Sequence, residues 1–478
     1  MSQTEQTSAV DSLPVPPQNP LPFRQQLKAI RQFHTGCEVL RDAGGPVTRL
    51  KLGPKWLMPR IVVATSPQAG HDILGVSDAI TERTQMHAEM RSLIGANLFD
   101  VPHDEWLPRR RILQPLFTKK HVRDFGGHMA EAADTIVESW GSAGEVDLDT
   151  ECRHLTLRAL GRSVLGLDLD QQADRIAEPL KVMLKYVSDR TASPVRLPDW
   201  FPAPSRLRAK AASARLRGLA AEVLRECRDD PNRDAPLVRA LIAATDPETG
   251  KGLTDEEIRD ELIVFMGAGH DTTATTLAYA LWQLGLHPDM QERVRAEAAA
   301  VGDRELTPDD IANLGYTVQV LHEGLRLCPP GPASARLVMQ DIEVDGYRVE
   351  AGTMAVFGIY AVQRDPALWE DAATFEPDRF RPEVARSIGR WQYLPFGAGP
   401  RTCVGDHFAM LELALALATI VRRTEIRSSA AEFPMEVPFT MVAGAPILAR
   451  VAARPGYTTE NAAGSAARPV SADNTVSP

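Results

Sequence analysis

Cysteine is scarce in this chain of 478 residues: five in all, at Cys37, Cys152, Cys227, Cys328 and Cys403, far apart and odd in number. No C-x-x-C pair occurs, so neither the disulfide framework of a small secreted protein nor a cysteine-rich zinc site is expected, and a reducing compartment suits the set best. Long apolar runs are missing as well. The longest tract, Phe408 to Val421, is interrupted by Glu412 and is too short to span a bilayer. The opening MSQTEQTSAVDSLPVPPQNPLP lacks both a positively charged start and an apolar stretch, so no signal peptide or transmembrane anchor is predicted. An excess of basic charge is absent too: 63 acidic residues against 53 basic ones leave a net charge of −10, which disfavours a nucleic-acid partner. Together these absences predict a cytoplasmic protein.

What is present is material for a large core, since 44% of the residues are hydrophobic. Length alone suggests two or three domains, yet no repeat or long linker divides the chain. Residues 1–20, rich in Pro, Gln and Ser, and residues 456–478, polar and small, read as disordered tails around a single domain over 21–455. Helical periodicity dominates from Asp104 to Cys328. Strand signals are few: PVTRLKLG with PRIVVATS, then IEVDGYRV turning at Asp345-Gly346, then TMAVFGIY. The fold class is therefore mainly α with small β-sheets. The clearest helix starts at Thr254, where T-D-E-E forms a capping box with Glu257, and runs to Leu286 ahead of Pro288.

Three stretches carry candidate chemistry. The loop FGAGPRTCVG, Phe396 to Gly405, fails as a phosphate cradle because the third position of G-x-G-x-x-G falls on Thr402. It presents Cys403 ahead of the apolar helix FAMLELALALATIV, where backbone N–H groups stabilise a thiolate. A single thiolate without companions suits a metal whose other ligands come from a cofactor, haem iron foremost; a buried structural cysteine is the plainer alternative. The long helix contains MGAGHDTTATT, Met266 to Thr276, whose glycines each cost about 1 kcal/mol relative to Ala. Asp271 and Thr272 supply an acid and a hydroxyl able to relay protons, against the alternative of helix packing through small residues. In HEGLRLCPP, Arg326 replaces the second histidine of H-E-x-x-H, so a zinc-protease reading fails, and Glu323 with Arg326 shares one helix face. In isolation such a pair is ordinarily an exposed ion pair of little energetic worth.

Taken together, these residues resemble the cytochrome P-450 haem-thiolate monooxygenases, in the soluble bacterial form. Phe396, Gly399, Arg401, Cys403 and Gly405 match F-x-x-G-x-R-x-C-x-G; Ala268-Gly269-His270-Asp271-Thr272-Thr273 matches the oxygen-activation motif; Glu323 with Arg326 matches E-x-x-R; and Pro377-Asp378-Arg379-Phe380 matches the motif that joins it. The similarity runs from Pro20 to Ala453, and implies haem b held between the long central helix and the helix after the cysteine loop.

On that resemblance Cys403 is the axial iron ligand, shielded by Phe396, and Asp271 and Thr272 guide protons, with Ala268 beside the cofactor. Glu323, Arg326 and Arg379 hold the cysteine loop. Arg401, Trp106 and Arg110 of a W-x-x-x-R pattern, His103 and Arg336 are candidates for the propionates. Leu98, Phe99, Phe265, Ala268, Ala333, Ser334, Met441 and Val442 are expected to line the substrate pocket. SPVRLPDWFPAPSR, Ser193 to Arg206, falls at the family's substrate-access loop; it either touches a membrane or a lipid partner peripherally or covers its own apolar residues. The implied reaction uses O2 to hydroxylate or epoxidise an apolar, lipid-like molecule of sterol, terpenoid or fatty-acid class. Electrons come from a separate ferredoxin and reductase, which Arg109, Arg111, Lys119, Lys120 and Arg123 would meet as a basic face. A peroxide-driven or isomerising haem-thiolate enzyme and a non-catalytic haem sensor are the competing readings.

Overall fold

The computed structural model describes residues 10–53, 59–76, 80–141, 144–167, 174–193, 198 and 201–455. Eight of its helices build the region of interest: α1 (Gln85–Ile94), α2 (His103–Leu113), α3 (Leu148–Leu160), α4 (Asp174–Ala192), α5 (Pro204–Asp229), α6 (Asp255–Leu286), α7 (Gly315–Leu327) and α8 (Asp406–Arg423). A five-stranded sheet flanks them, formed by β1 (Val47–Arg49), β2 (Arg60–Ala64), β3 (Thr81–Glu82), β4 (Ser334–Val338) and β5 (Thr353–Phe357) in the order β1-β2-β5-β4-β3.

Helix α6 begins as the capping box predicts. Thr254 Oγ1 accepts from the Glu257 N–H at 3.2 Å while the Glu257 carboxylate accepts from the Thr254 N–H at 2.8 Å. The helix then runs unbroken to Leu286, and most of its side chains from Ile258 to Leu284 are buried, with polar Asp260, Glu261 and His270 among them. Gly269 has a packing role: a Cβ there would lie 2.8 Å from Leu160 Cδ1, so the glycine lets α3 cross close to α6. Thr272 and Thr276 satisfy their hydroxyls on the carbonyls of Ala268 (2.6 Å) and Thr272 (2.9 Å) within the same helix.

In the sheet, β1 and β2 are antiparallel, β2 and β5 are parallel with Arg60 opposite Thr353, and β5 and β4 are antiparallel with Phe357 opposite Ser334. The Asp345-Gly346 hairpin forms as read, joining Ile342–Val344 to Tyr347–Val349, with φ of 49° and 79° at the two turn residues. Beneath the sheet, Val62, Ala64, Phe357 and Ile359 pack with Leu394 and Ala398, which anchor the cysteine loop. Full burial of such side chains contributes about 1.5–3 kcal/mol each, enough to fix the loop's base. A third sheet, Glu145–Asp147 with Leu448–Ala453 and Thr424–Ser428, has no counterpart in the sequence reading.

The N-terminal tail needs a correction between residues 10 and 20. Asn19 is buried, its N–H bonds Arg49 O at 2.9 Å and its side chain bonds Leu40 O at 2.9 Å, while Pro14 O accepts from the Arg348 N–H at 2.8 Å. The edge of β1 needs backbone partners, and this stretch supplies them despite its polar composition. Residues 1–9 and the tail read at 456–478 lie outside the described residues, as do Leu197 and Trp200 of the access loop. Phe201 of that loop is exposed. Among the described residues no helix is long and apolar enough to cross a membrane.

Candidate active site

Four of the five cysteines are buried inside the protein, and Cys403 alone is exposed. Burial pushes Cys37 and Cys328 up to about 12, which makes them inert thiols. Cys403 instead opens into a cavity of about 380 Å³ whose wall also holds Phe396, Gly405, Ala268, Thr272 and Phe265. The loop that presents it closes on itself, with the Cys403 N–H bonded to Phe396 O at 2.9 Å and the Gly405 N–H reaching Sγ at 3.3 Å. Gly405 is the cap of α8, so the sulfur stands at a helix start. Its depth in the molecule raises the thiol's pKa, while the Gly405 N–H and Arg110 draw it down and Asp406 raises it. Gly399 sits at φ +74°, and a Cβ there would lie 1.7 Å from Leu74 O; only glycine allows the loop this approach.

Cationic side chains share this largely apolar wall. Arg110 is 9% exposed, donates to Thr402 O at 3.0 Å and to Gln114 Oε1 at 3.1 Å, and forms no ion pair among the described residues. Arg401 donates to Val101 O at 2.9 Å with its guanidinium 4.6 Å from the centre of the Trp106 ring, and Arg336 donates to Ser334 Oγ at 3.1 Å. Arg83 joins them, 5.2 Å from the Phe99 ring centre; no motif in the sequence points to it. The buried ring of His87 is held well below the usual histidine range by desolvation and by the charges of Arg83, Arg336 and Arg401.

The remaining expected residues divide. Leu98, Phe99, Ala333 and Ser334 line the cavity, as do Leu160, Val164, Leu237 and Thr276, which the sequence reading missed. Met441 and Val442 do not. Met441 is fully buried against Cys328, with 3.5 Å between the sulfurs, and Val442 is engaged in a strand opposite Glu436. His103 stays outside the wall as well; its ring packs 6.3 Å from that of Trp106 and its N–H faces the Glu82 carboxylate at 3.4 Å. Asp271 and Thr272 are adjacent yet point apart. Thr272 faces the cavity, whereas the Asp271 carboxylate lies 2.5 Å from Arg153 Nη1 on α3 and 3.9 Å from His270 Nε2. Helical geometry turns neighbours by about 100°, which accounts for the split.

Behind the cysteine loop, Glu323 and Arg326 are fully buried and doubly bonded at 2.7 Å, and Arg379 Nε stands 3.5 Å from Glu323 Oε1. The basic face is a further correction. Arg109 is buried between Glu257 and Glu261 at 2.9 Å each, Arg111 is bonded to Asp246 at 2.9 Å, and Arg123 is paired with Asp309. Only Lys119 and Lys120 of the five remain as plain exposed charges. A linear charge run says nothing of the carboxylates that later elements bring to it.

The cytochrome P-450 family description matches residues 14–447. The chain belongs to the cytochrome P-450 family. It is 31% identical to cyclooctat-9-en-7-ol 5-monooxygenase of Streptomyces melanosporofaciens, over 80% of this chain and 83% of that one. Pentalenene oxygenase of Streptomyces avermitilis is 28% identical over 80% and 85% of the two chains. Among solved structures, a mutant heme domain of cytochrome P-450DA superposes with a TM-score of 0.80 at 26% identity, covering 93% of this chain and 99% of that one. The fold is thus that of cytochrome P-450, and the enzyme is a cytochrome P-450 monooxygenase.

The family's haem-thiolate cofactor fits the residues present. Buried guanidinium groups facing an apolar cavity call for an anionic ligand with apolar faces. The exposed thiol stands in that cavity, and among the described residues no group of three His, Cys, Asp or Glu side chains gathers to complete a metal site from protein alone.

Proposed function

We propose that this enzyme binds haem b through Cys403 and inserts oxygen from O2 into an apolar, lipid-like small molecule of terpenoid class. Exposure of Cys403 alone among five cysteines, in a cavity walled by Phe265, Leu98 and Arg110, is the observation that carries the reading. The relatives named for cyclooctat-9-en-7-ol and pentalenene favour terpenoids over sterols and fatty acids.

Bound haem would supply the redox chemistry of O2 cleavage. Cys403 would ligate it as a thiolate, helped by the Gly405 N–H and the start of α8, with Phe396 against the sulfur. Arg110, Arg336, Arg401 and the Trp106 edge would receive its carboxylates. Thr272 would be the proton donor on the cavity side, since rotation about χ1 exchanges its bond to Ala268 O for one into the cavity. Asp271 would resupply it by swinging from Arg153, a motion that the helix backbone need not follow. Glu323, Arg326 and Arg379 would fix the loop and touch no reactant. Leu98, Phe99 and Phe265 would hold the substrate's apolar body and exclude water. Electrons would come from a separate protein of ferredoxin type, in a cytoplasmic setting, to one catalytic domain.

The test is the absorption difference spectrum of dithionite-reduced protein with carbon monoxide. Wild type should show the strongly red-shifted Soret band of a thiolate-ligated haem, and Cys403→Ser should lose it. Thr272→Ala should keep the band but consume electrons without matching product; unchanged coupling would remove Thr272 from the proton path.

A further inference from the structure

The cavity wall at Leu98 and Phe99 belongs to residues 95–101, which form turns and no regular element. Side chains from outside hold this stretch. Arg109 Nη1 on α2 donates to Ala96 O at 3.0 Å, Arg401 donates to Val101 O at 2.9 Å, and Ser213 on α5 donates to the preceding Leu93 O at 2.6 Å. Asn97 closes the turn from within, accepting from the Phe99 N–H at 3.0 Å and donating to the Asp100 carboxylate at 2.8 Å.

One of the contacts from outside the stretch accepts instead of donating. Glu261 Oε1 on α6 takes the Leu98 N–H at 2.8 Å and also Arg109 Nη1 at 2.9 Å. A single buried oxygen therefore ties the wall to α2 and to the helix that presents Phe265, Ala268 and Thr272. Phe99 cannot follow a shift of Leu98 freely: His87 lies 4.9 Å from its ring, Arg83 5.2 Å and Phe439 6.4 Å, measured to ring centres. The arrangement is costly to keep. Glu261 is fully buried, its Oε2 has no hydrogen-bond partner among the described residues, and burial pushes its carboxyl up to about 7 against the pull of Arg109 and the Leu98 N–H. A hydrocarbon side chain would avoid that cost but would leave the buried Arg109 with Glu257 alone, so Glu261 both balances Arg109 and, separately, holds the Leu98 N–H of the wall.

We propose that Glu261 is a positioning residue for substrate selectivity: by fixing the Leu98 N–H to the long helix, it sets how far Leu98 and Phe99 project over the cavity and hence the size of apolar ligand admitted beside the cofactor. The proposal rests on the haem-site reading above. It assigns no chemistry to Glu261, which touches neither substrate nor cofactor.

Spectral titration of the haem-loaded enzyme with two azoles tests it. Imidazole requires only access to the iron, whereas 4-phenylimidazole also needs room under the wall, so the ratio of the two Kd values reads the wall alone. Glu261→Ala deletes the acceptor and Glu261→Asp draws it back by one methylene while keeping a charge for Arg109. Each should change the ratio about tenfold, the worth of a charge-assisted hydrogen bond. Glu261→Gln retains an oxygen for the Leu98 N–H and should stay within about threefold of wild type. An unchanged ratio in the Ala and Asp variants overturns the proposal, and if only Asp takes up haem, Asp decides. A Gln ratio displaced as far as that of Ala overturns it too, because charge and not the hydrogen bond would then set the wall. Failure of both Ala and Asp to take up haem would make Glu261 a folding residue and overturn it as well. Absence of any imidazole shift in wild type would instead refute the haem site itself.

Discussion

Removing Arg326 tests how the cysteine loop is supported, because every N–H of its guanidinium has a partner. Nε and Nη2 bond the two oxygens of Glu323 at 2.7 Å, Nη1 bonds the carbonyls of Gln363 and Ala372 at 2.8 Å, and Nη2 bonds Thr374 O at 3.0 Å. Both members of the pair are fully buried, and the guanidinium also lies 5.0 Å from the Trp369 ring centre. Breaking a buried pair by deleting one partner costs about 3–5 kcal/mol. Each of the three abandoned carbonyls adds about 1–3 kcal/mol. Protonation of the stranded Glu323 lowers the first figure without touching the second. With the three carbonyls near the middle of their range, a loss of about 6 kcal/mol remains from them alone, comparable with the whole stability of a typical domain. Arg326→Ala should therefore yield no stably folded, haem-containing protein. Arg326→Lys keeps the charge but offers three donors for five acceptor positions, and should fold with about 2–5 kcal/mol less stability. The assays are haem absorbance per mole of protein and urea unfolding followed by tryptophan fluorescence. An Arg326→Ala protein with full haem content, unfolding within about 2 kcal/mol of wild type, would refute the reasoning.

Gly399→Ala should cut haem content sharply, since a side chain at φ +74° would be placed 1.7 Å from Leu74 O and the loop must move by more than an ordinary repacking; a normally loaded variant would show that the loop tolerates the shift. Acid stability should also depend on His322, which burial holds down at about 4 beside Tyr393, its Nδ1 2.9 Å from the phenol oxygen. The folded form resists protonation that the unfolded chain accepts from pH 6.5 downward, so stability is full above pH 6.5 and is lost as pH falls towards 4, by up to about 3 kcal/mol. Urea titrations between those pH values should show a shallower loss for His322→Gln, and an equal slope in both proteins would refute this assignment.

Local patterns were the legible part of the molecule. The capping box at Thr254, the Asp345-Gly346 turn and the apolar helix after Cys403 are encoded within a few residues of one another, so a linear reading reaches them. Long-range partners were not legible. Arg109 looks like surface charge until Glu261, 152 residues later in sequence, is brought against it. Glu145–Asp147 acquires a strand partner only from Leu448–Ala453, and Pro14 to Asn19 find theirs in Arg49 and Arg348. Met441 was placed in the pocket by its position along the chain, but the Cys328 contact draws it into the core. Asp271 and Thr272 are adjacent in the motif, but the opposite directions of their side chains involve Arg153, which no motif contains.

Arg109 and Arg110 show why the cofactor site is nonetheless recoverable from physics. They are neighbours on α2, both nearly buried, and their environments are of opposite kinds. Arg109 points at Glu257 and Glu261, so its charge is balanced within the protein. Arg110, turned by about 100° on the helix, meets the neutral oxygens of Thr402 and Gln114 and lines the cavity. A buried cation bonded only to neutral acceptors is stable when an anion completes it, and none lies within ion-pair distance among the described residues. On the proposed reading the anion arrives with the ligand and lies beside the exposed thiol of Cys403. A flat apolar macrocycle with carboxylates at its edge meets both conditions, and a purely hydrocarbon occupant would leave Arg110 uncompensated. The charge of Arg110 and the exposure of Cys403 are thus two halves of a single demand, and each would be costly to the fold without the ligand that answers the other.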